Sequence, residues 1–267
     1  MVAVRYTPNW IDLDGVCNLR DLGGLEAAGG ARIRPRTLLR SDNLSELSRE
    51  SAAVLAGEYA LSDVIDLRTD MEIREAGQGP LARDSGVHFH ALSLYPREFP
   101  GQVTPPWLQD ENLQTESTPM PRAQALAIHY LRYLTGRPDS VIGALRVIAG
   151  AQGAALVNCA AGKDRTGTVT AVALGAVGVR REEIIADYES SNERVVQIIA
   201  RLGSRASGAG GVHDNDDLTV QGQSTPADAM AGLLDLVDER YGSLANYLDA
   251  AGWTQADQRH LDEKLLA

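Results

Sequence analysis

The chain has 267 residues, of which 44% are hydrophobic and 23% are charged, a composition typical of globular proteins with a substantial core. Its 36 acidic and 25 basic residues give a formal net charge of −11, which excludes long-range attraction to nucleic acid or to anionic membranes. The two cysteines, Cys17 and Cys159, form at most one disulfide, which excludes a disulfide-stabilised scaffold and fits a reducing compartment.

We find no candidate membrane-spanning segment and no candidate signal peptide in the sequence. Its longest apolar run, residues 169–179, is too short to span a bilayer, and the first ten residues lack the apolar region of a signal peptide. We therefore expect a cytoplasmic protein without stable membrane insertion, and export without a cleavable signal stays open. No break in composition divides the chain, so we predict a single domain over residues 1–267.

The first predicted elements are short strands. Glycine pairs at residues 23–24 and 29–30 are turn signals. They favour two short strands or a hairpin that leads to Leu38 and Leu39.

A helix and a buried strand are expected next. Residues 44–55 carry apolar side chains at roughly helical spacing, and Ser45 or Ser48 is placed to cap the start. Residues 63–67 then form an apolar run typical of a buried strand, which ends in the polar run 68–74.

Apolar and polar side chains largely alternate over residues 87–94, which favours a strand with one polar face. His88 and His90 lie two positions apart, so their side chains point the same way and are candidates to share a metal ion. Because we see no cluster of carboxylates or cysteines with them, we interpret them as solvated surface histidines.

Two long segments are candidates for mobile lids over a site. The first, near residues 95–121, is polar and rich in proline, and loops of this length are usually functional or mobile. Its Trp107 is placed to cover a bound substrate. The second, near residues 204–227, is rich in Gly, Ser and Asp, and a plain linker is the alternative reading.

The rest of the second half has helical spacing of its apolar residues. The last forty residues form two or three amphipathic helices, broken at Gly242 and Gly252. The other predicted helices cover residues 123–134, 141–149 and 180–202.

Residues 158–167 read N-C-A-A-G-K-D-R-T-G, between the apolar run 154–157 and the small, apolar segment 168–179. This pattern predicts a buried strand, a tight loop and a buried helix. A loop that opens a helix directs free backbone N–H groups and the positive end of the helix dipole into one small space. Such a space binds phosphate.

Within this loop, Cys159 and Arg165 have the C-x5-R spacing that lets one loop wrap a tetrahedral anion. Cys159 is the candidate nucleophile, because the amides, the helix end and Arg165 all favour a negatively charged sulfur. Arg165 offers a planar fork for two phosphate oxygens. The alternative is a structural role, in which Cys159 is a buried cysteine beside the start of a helix. The candidate substrate-binding residues are Ala160, Ala161, Gly162, Lys163 and Thr166.

The loop resembles the signature of cysteine-dependent protein tyrosine phosphatases. Its K-D-R-T-G form resembles the atypical bacterial branch, the mycobacterial tyrosine phosphatase B-like proteins. The resemblance spans nearly the whole chain and is weakest near residues 95–125 and 204–228. It also rests on C-N-L-R-D-L-G-G at 17–24, L-L-R-S-D-N-L at 38–44, V-I-D-L-R-T at 64–69, A-D-Y-E-S-S-N at 186–192 and R-Y-G-S-L-A-N-Y-L at 240–248.

The predicted fold is a single α/β domain with a central, mostly parallel sheet, helices on both faces, and the site at the carboxyl end of the strands.

The resemblance implies hydrolysis of phosphotyrosine through a phosphocysteine, with phosphoserine and phosphothreonine as further substrates, and neither cofactor nor metal. In the family a histidine usually precedes the cysteine, and this chain has Asn158 there. We therefore expect a slower enzyme.

A general acid must protonate the leaving oxygen. The resemblance places the acid loop of cysteine phosphatases after a strand, at residues 95–121, but the usual W-P-D string is absent. Asp164 is our first candidate because it lies within the loop, Glu98 is the second and Asp110 the third. The alternative for Asp164 is a structural pair with Lys163 or with an N-terminal arginine.

Other residues near the motifs have both a functional and a structural interpretation. Arg20 and Asp21 either face the site or form a local pair that fixes the turn. Asp66 either touches the loop or pairs with Arg68 or Arg74. Cys17 is a redox partner for Cys159 or, as we prefer, a small buried residue.

Three rival functions remain open. Lys163 adds a charge that suits a phosphoinositide headgroup, so the expected partner is a phosphorylated protein or a phosphoinositide. Asn158 and the missing acid motif favour a pseudophosphatase that binds phosphoproteins without hydrolysing them. A rhodanese-like sulfur transferase also cradles an anion above a cysteine. The sequence leaves the oligomeric state undetermined.

Overall fold

The computed structural model describes residues 6–84, 86–95, 120–206 and 218–267. In this part of the chain six strands form one sheet, in the order β1-β2-β3-β6-β4-β5. The strands β3, β6, β4 and β5 run parallel, whereas β1 and β2 are antiparallel additions at one edge. Their bounds are β1 Asn9–Trp10, β2 Arg20–Asp21, β3 Leu38–Ser41, β4 Leu61–Asp66, β5 His88–Ala91 and β6 Ala154–Asn158.

Helices cover both faces of the sheet, because neighbouring residues of each buried strand point to opposite sides. In β6, Leu156 packs in a cluster with Leu55 of α1, whereas Val157 packs with Leu145 of α5 in the larger core. The bounds are α1 Arg49–Gly57, α2 Asp70–Ala76, α3 Leu81–Asp84, α4 Arg122–Gly136, α5 Pro138–Gly150, α6 Asp164–Ala176, α7 Arg181–Glu189, α8 Val195–Ala206, α9 Val220–Gln223, α10 Ala227–Tyr241, α11 Leu244–Ala250 and α12 Gln255–Leu265.

These layers confirm the predicted fold class, a single α/β domain with a mostly parallel sheet flanked by helices. The predicted hairpin corresponds to the antiparallel pair β2 and β3. The helix expected over residues 44–55 begins later, at Arg49, because the side chain of Ser48 accepts the backbone N–H of Ser51 and caps it there. The helical stretch 180–202 is interrupted by a 3-10 turn at Ser190–Arg194.

The interpretation of the two histidines as surface residues is supported, since the side chain of His88 is 77% exposed and that of His90 is 34% exposed. In the part of the chain described, strand pairing places a single carboxylate beside them, that of Asp63 on β4. Its Oδ1 lies 2.8 Å from His90 Nε2 and 3.9 Å from His88 Nδ1. Among the described residues, no group of three or more His, Cys, Asp or Glu side chains is arranged to hold a metal ion.

The two predicted lid segments lie largely outside the described residues. This holds for residues 96–119, with Glu98, Trp107 and Asp110, and for residues 207–217. The second segment re-enters the described part before α9, a single helical turn. No helix in the described ranges combines the length and the apolar character that crossing a membrane requires.

Candidate active site

The strand, loop and helix that carry the candidate site lie at the centre of the sheet. β6 ends at Asn158 and α6 begins at Asp164. Because β6 runs parallel between β3 and β4, the loop emerges at the carboxyl edge of the sheet, beside the ends of both neighbours. α6 is buried and directs its free N–H groups and positive dipole end at this loop.

Cys159 begins the loop and is 2% exposed. Its Sγ accepts a hydrogen bond from the backbone N–H of Gly162, with 3.3 Å between nitrogen and sulfur. Gly162 has φ of 71°, in the left-handed region that favours glycine. A Cβ at this position would lie 2.5 Å from the backbone nitrogen of Asp42. Only glycine therefore fits the turn that brings this amide to the sulfur.

Arg165 is buried in the first turn of α6 and is held by an ion pair with Glu72 of α2. Nη1 lies 2.7 Å from Glu72 Oε2, Nη2 lies 2.8 Å from Oε1, and Nη1 also donates to the carbonyl of Leu67 at 3.4 Å. The guanidinium lies over the ring of Tyr95, 5.1 Å from its centroid. Two carboxylate oxygens and an aromatic face thus fix the plane of the Arg165 fork.

The pair is strongly ionised. Burial alone would raise the pKa of Glu72, but the charge and hydrogen bonds of Arg165 outweigh it and lower that pKa to about 2. Burial alone would lower the pKa of Arg165, whereas the charge of Glu72 holds it well above its usual value. Both groups are therefore charged at neutral pH.

Sequence analysis missed Glu72, although a signal was present. Thr69 and Glu72 form a capping box, in which the Thr69 side chain accepts the N–H of Glu72 and Glu72 accepts the N–H of Thr69. The pattern T-x-x-E at the end of the V-I-D-L-R-T segment predicts this helix start. It does not predict that the same carboxylate reaches Arg165.

Lys163 and Asp164 end the loop. The ammonium of Lys163 donates to Gln223 at the end of α9, to Oε1 at 2.7 Å and to the carbonyl at 2.9 Å. It also lies 3.8 Å from Asp164 Oδ2. The segment near residues 204–227, expected as a lid or a linker, therefore contacts the loop directly where it is described.

The Asp164 carboxylate is 31% exposed and accepts a hydrogen bond from the hydroxyl of Tyr130 on α4. That hydroxyl lies 2.8 Å from the hydroxyl of Tyr188 on α7. Burial would raise the pKa of Asp164, but the charge of Lys163 and the Tyr130 hydrogen bond hold it below its usual value. Asp164 is therefore a carboxylate at neutral pH in this state.

The remaining predicted residues line the loop. Ala160 and Ala161 lie between Cys159 and Gly162, with their carbonyls bonded to the protein behind the loop. Among the described residues, neither the Thr166 hydroxyl nor either polar atom of the Asn158 amide has a hydrogen-bond partner, although all three atoms are buried. The side chain of Asn158 therefore does not support the loop by hydrogen bonds within the described structure.

Comparisons with known proteins agree with this geometry. The sequence profile of the tyrosine phosphatase family matches residues 11–267. The chain belongs to the tyrosine phosphatase family. It is 29% identical to the triple specificity protein phosphatase PtpB of Mycobacterium tuberculosis, over 96% of this chain and 98% of that protein. It is 30% identical to a putative tyrosine-protein phosphatase of Cupriavidus necator, over 88% of this chain and 81% of that one. A tyrosine-protein phosphatase of Nostoc commune is 28% identical, over 90% and 77% of the two chains.

The predicted family and enzyme class are thereby confirmed. The chain is a tyrosine phosphatase, an enzyme of the class that hydrolyses phosphoric monoesters. Its matched region begins between β1 and β2 and continues through α12, so the family match covers strands β2 to β6 and the helices on both faces of the sheet.

One predicted pair in the phosphatase is wrong. Arg20 does not pair with Asp21, because its guanidinium points into the interior and binds Asp187 at 2.8 Å. Asp21 instead accepts the backbone N–H groups of Gly23 and Arg36 and so fixes the turn alone. The two side chains separate because successive residues of a strand point to opposite faces.

A second structural interpretation in the phosphatase is supported, because Asp66 pairs with Arg68, with 2.6 Å between Oδ2 and Nη2. Cys17, expected to be buried, is a half-buried free cysteine whose Sγ lies 3.4 Å from Asp42 Oδ2. Burial and the charge of Asp42 raise the pKa of the Cys17 thiol, so it is a poor nucleophile.

Replacing Tyr130 with phenylalanine tests the role of Asp164 in this phosphatase. The change removes a hydrogen bond that lowers the pKa of Asp164, so that pKa rises. An acid is active only while protonated, and the pH above which kcat/KM falls is therefore expected to move upward. The measurement is a pH–rate profile for an aryl phosphate with a poor leaving group. An unchanged profile would mean that Asp164 has a structural role. Tyr241→Phe is the matched control, since Tyr241 lies at the last turn of α10 and packs against Tyr247.

Proposed function

We propose that this phosphatase hydrolyses phosphotyrosine in proteins through a phosphocysteine on Cys159. The observation that carries the proposal is the Gly162 N–H directed at the Cys159 sulfur in a loop that opens a buried helix. N–H groups at a helix start suit a phosphoryl group, and a sulfur beneath them suits attack on phosphorus. Arg165, in the first turn of the same helix, supplies the positive charge.

The reaction has two steps. The first step takes place in the fraction of enzyme whose Asp164 is protonated: the Cys159 thiolate attacks phosphorus, an S–P bond forms, the P–O bond to the tyrosine oxygen breaks, and Asp164 gives that oxygen its proton. In the second, water attacks the phosphocysteine, Asp164 takes a proton from the water, and inorganic phosphate leaves with the thiolate restored. Both Asp164 and Cys159 end in the state in which they began.

Glu72 supports the proposal as a positioning residue for Arg165. A guanidinium has five N–H donors, and Glu72 and Leu67 take two on Nη1 and one on Nη2. The two donors left, on Nε and Nη2, form the other edge of the fork. That edge suits two oxygens of one phosphate. The ion pair thus leaves Arg165 with a fork for phosphate in a fixed plane.

Exchange of Glu72 for glutamine is expected to lower kcat/KM by roughly a hundredfold, because small losses of orientation at a reacting group have effects of this size. Glutamine keeps one acceptor oxygen, but it has no negative charge. Its amide N–H group would also face an N–H group of Arg165, which it cannot accept. Steady-state kinetics with a tyrosine phosphopeptide measure the effect. Unchanged kinetics would contradict the positioning role.

The same variant has a distinct pH signature in stability. The pKa of Glu72 is about 2 in the folded protein against an ordinary 4.5. A carboxyl group whose pKa is lowered by folding stabilises the folded protein at pH values above its ordinary pKa. This stabilisation is lost as the pH falls toward the lower pKa of the folded state. We expect Glu72→Gln to be less stable than wild type at neutral pH, with the difference shrinking between about 4.5 and about 2. Denaturant unfolding at several pH values measures it.

Phosphoserine and phosphothreonine are proposed as further substrates. The Mycobacterium tuberculosis relative is named a triple specificity protein phosphatase, which supports action on more than one class of phosphate ester. In this chain the Lys163 ammonium beside the loop binds Gln223 rather than remaining in solvent. Phosphoinositide hydrolysis is the alternative substrate class and requires Lys163 to exchange Gln223 for a second phosphate.

The test is phosphate release from phosphotyrosine, phosphoserine and phosphothreonine peptides and from a phosphoinositide panel, without added metal. Wild type is compared with Asp164→Asn, which is expected to lose about 10²–10⁴-fold in rate as a variant without its general acid. Preferential release from phosphoinositides would overturn the assigned substrate. Tight binding of phosphopeptide by wild type without release would replace the enzyme proposal with a phosphoprotein-binding role and would make Asn158 the first residue to restore to histidine.

A further inference from the structure

We propose that Asn18 and Arg40 are positioning residues that hold the catalytic loop from behind, so that three successive N–H groups point into the phosphate site. The inference rests on the proposed function, because it takes phosphate as the ligand of the loop. Both residues lie far from the loop in sequence, and both side chains are fully buried.

The contacts fall on the carbonyl groups of the loop. Asn18 Nδ2 donates to the carbonyl of Ala161 at 3.0 Å and to that of Gly162 at 3.1 Å. Arg40 Nη2 donates to the carbonyl of Gly162 at 2.8 Å. The preceding carbonyl, of Ala160, accepts the backbone N–H of Asn43 at 3.2 Å. Three consecutive carbonyls are thus turned toward the protein interior.

The direction of the N–H groups follows from peptide geometry. No peptide bond in the described residues is cis, and in a trans peptide the carbonyl and the next N–H point in opposite directions. Asn18 holds the Ala161 carbonyl, and the N–H of the same peptide, on Gly162, accordingly points at the Cys159 sulfur. The Gly162 carbonyl, held by Asn18 and Arg40, turns the N–H of Lys163 to the same side.

The two side chains are themselves fixed by buried partners. Asp42 Oδ1 accepts the backbone N–H of Asn18 at 3.0 Å. Arg20 Nη1 donates to Asn18 Oδ1 at 2.6 Å, which orients the amide so that its nitrogen faces the loop. Asp187 binds both Arg20 and Arg40. The loop therefore rests on a rigid polar layer rather than on exposed side chains.

This layer also carries charge. Arg20, Arg40 and Asp187 together have a formal charge of +1 directly behind the loop, and Asp42, the other carboxylate of the layer, pairs with Arg201 at 2.9 Å. A positive charge in the interior attracts an anion more strongly than one in water. The rest of the protein is acidic, with a net charge of −11. The polar layer thus adds local attraction for phosphate where the overall charge opposes it.

The experiment separates hydrogen bonding from charge and from stability. Asn18→Asp keeps the acceptor for Arg20 but replaces the donor to the loop with a repelling oxygen, and Asn18→Ala removes the donor without adding charge. Arg40→Lys keeps the charge but loses the planar fork. Arg146→Lys is the matched control, since Arg146 forms a two-point ion pair with Asp257 and its other hydrogen bond in the described structure goes to the carbonyl of Gly252, away from the loop.

Two quantities are measured: kcat and KM for p-nitrophenyl phosphate, and the Kd of inorganic phosphate by calorimetry. We expect kcat to fall about 10²-fold or more in the Asn18 and Arg40 variants, the loss typical of a misaligned oxyanion donor. Phosphate binding is expected to weaken in parallel, whereas Arg146→Lys keeps both values. Variants that keep kcat and phosphate affinity, or that lose them only as much as Arg146→Lys, would overturn the inference.

If the Asn18 and Arg40 variants do not fold, a measurement on wild type tests the inference. The backbone ¹⁵N–¹H signals of Gly162 and Lys163 in wild type then report whether both amides respond to inorganic phosphate. Both signals shifting upholds the inference, and neither shifting overturns it. A wild type without phosphatase activity would refute the proposed function. An active wild type, together with Asn18 and Arg40 variants whose kcat and phosphate affinity are unchanged, would refute this inference alone.

Discussion

Exchange of Cys159 for serine is expected to abolish phosphate release, with kcat reduced by at least about 10⁴-fold, the scale seen when an enzyme loses its nucleophile. The reason is that the site stabilises an anion at this position. The Gly162 amide, 3.3 Å from the sulfur, and the N-terminus of α6 favour a thiolate, and a serine hydroxyl does not ionise at neutral pH. The measurement is the single-turnover rate with a tyrosine phosphopeptide.

The serine variant is also expected to keep its substrate affinity, because the amides and Arg165 that bind phosphate are unchanged. Calorimetric titration with phosphopeptide checks this. Cys17→Ser is the matched control, since Cys17 is the other free cysteine and its thiol is held by Asp42. Equal activity of Cys159→Ser and wild type would contradict the phosphocysteine mechanism. Trapping phosphate on Cys159 by rapid acid quench and mass spectrometry would support it directly.

Exchange of Arg165 for lysine is expected to lower kcat/KM by about 10³-fold, within the range found for arginines that stabilise a transferring phosphoryl group. Lysine keeps the positive charge and pairs with Glu72, but it has no planar fork to present two donors to one phosphate. The loss should fall more on kcat than on KM, because the fork matches the transition state better than the ground state.

Arg146→Lys is the matched control for Arg165→Lys. Arg146 also forms a two-point ion pair, with Asp257 of α12, and in the described structure its other hydrogen bond goes to the carbonyl of Gly252 rather than to the loop. We expect its kinetics to match wild type. A loss in Arg165→Lys that appears wholly in KM would show that Arg165 only binds substrate, and no loss would remove it from the site.

Much of the site was predictable because it is local in sequence. The apolar run, the tight loop and the helix-opening residues lie within a single stretch, 154–179, so their order alone places a cysteine and an arginine at a helix start. The α/β class follows in the same way, from apolar strands that alternate with amphipathic helices. The family resemblance rests on further segments, and the match over residues 11–267 confirms it.

The errors and omissions involve partners that are distant in sequence. Arg20 was expected beside Asp21 but binds Asp187, 167 residues away. His90 was interpreted as a solvated surface residue, and the pairing of β4 with β5 gives it a partner, Asp63, that the local pattern did not indicate. Local patterns identify which residues can form an ion pair, but the order of strands in the sheet decides which of them meet.

The sequence by itself determined the fold class, the loop with Cys159 and Arg165, and the family. The tertiary structure decided what holds that loop in shape. Glu72 reaches Arg165 across 93 residues, and Asn18 reaches Ala161 across 143. The physical reason is that β4 and β6 are parallel neighbours and β2 runs antiparallel to β3, so the segment before β2 and the segments after β4 and β6 converge at one edge of the sheet. Helix and loop propensities act over a few residues, whereas this convergence exists only once the sheet has formed.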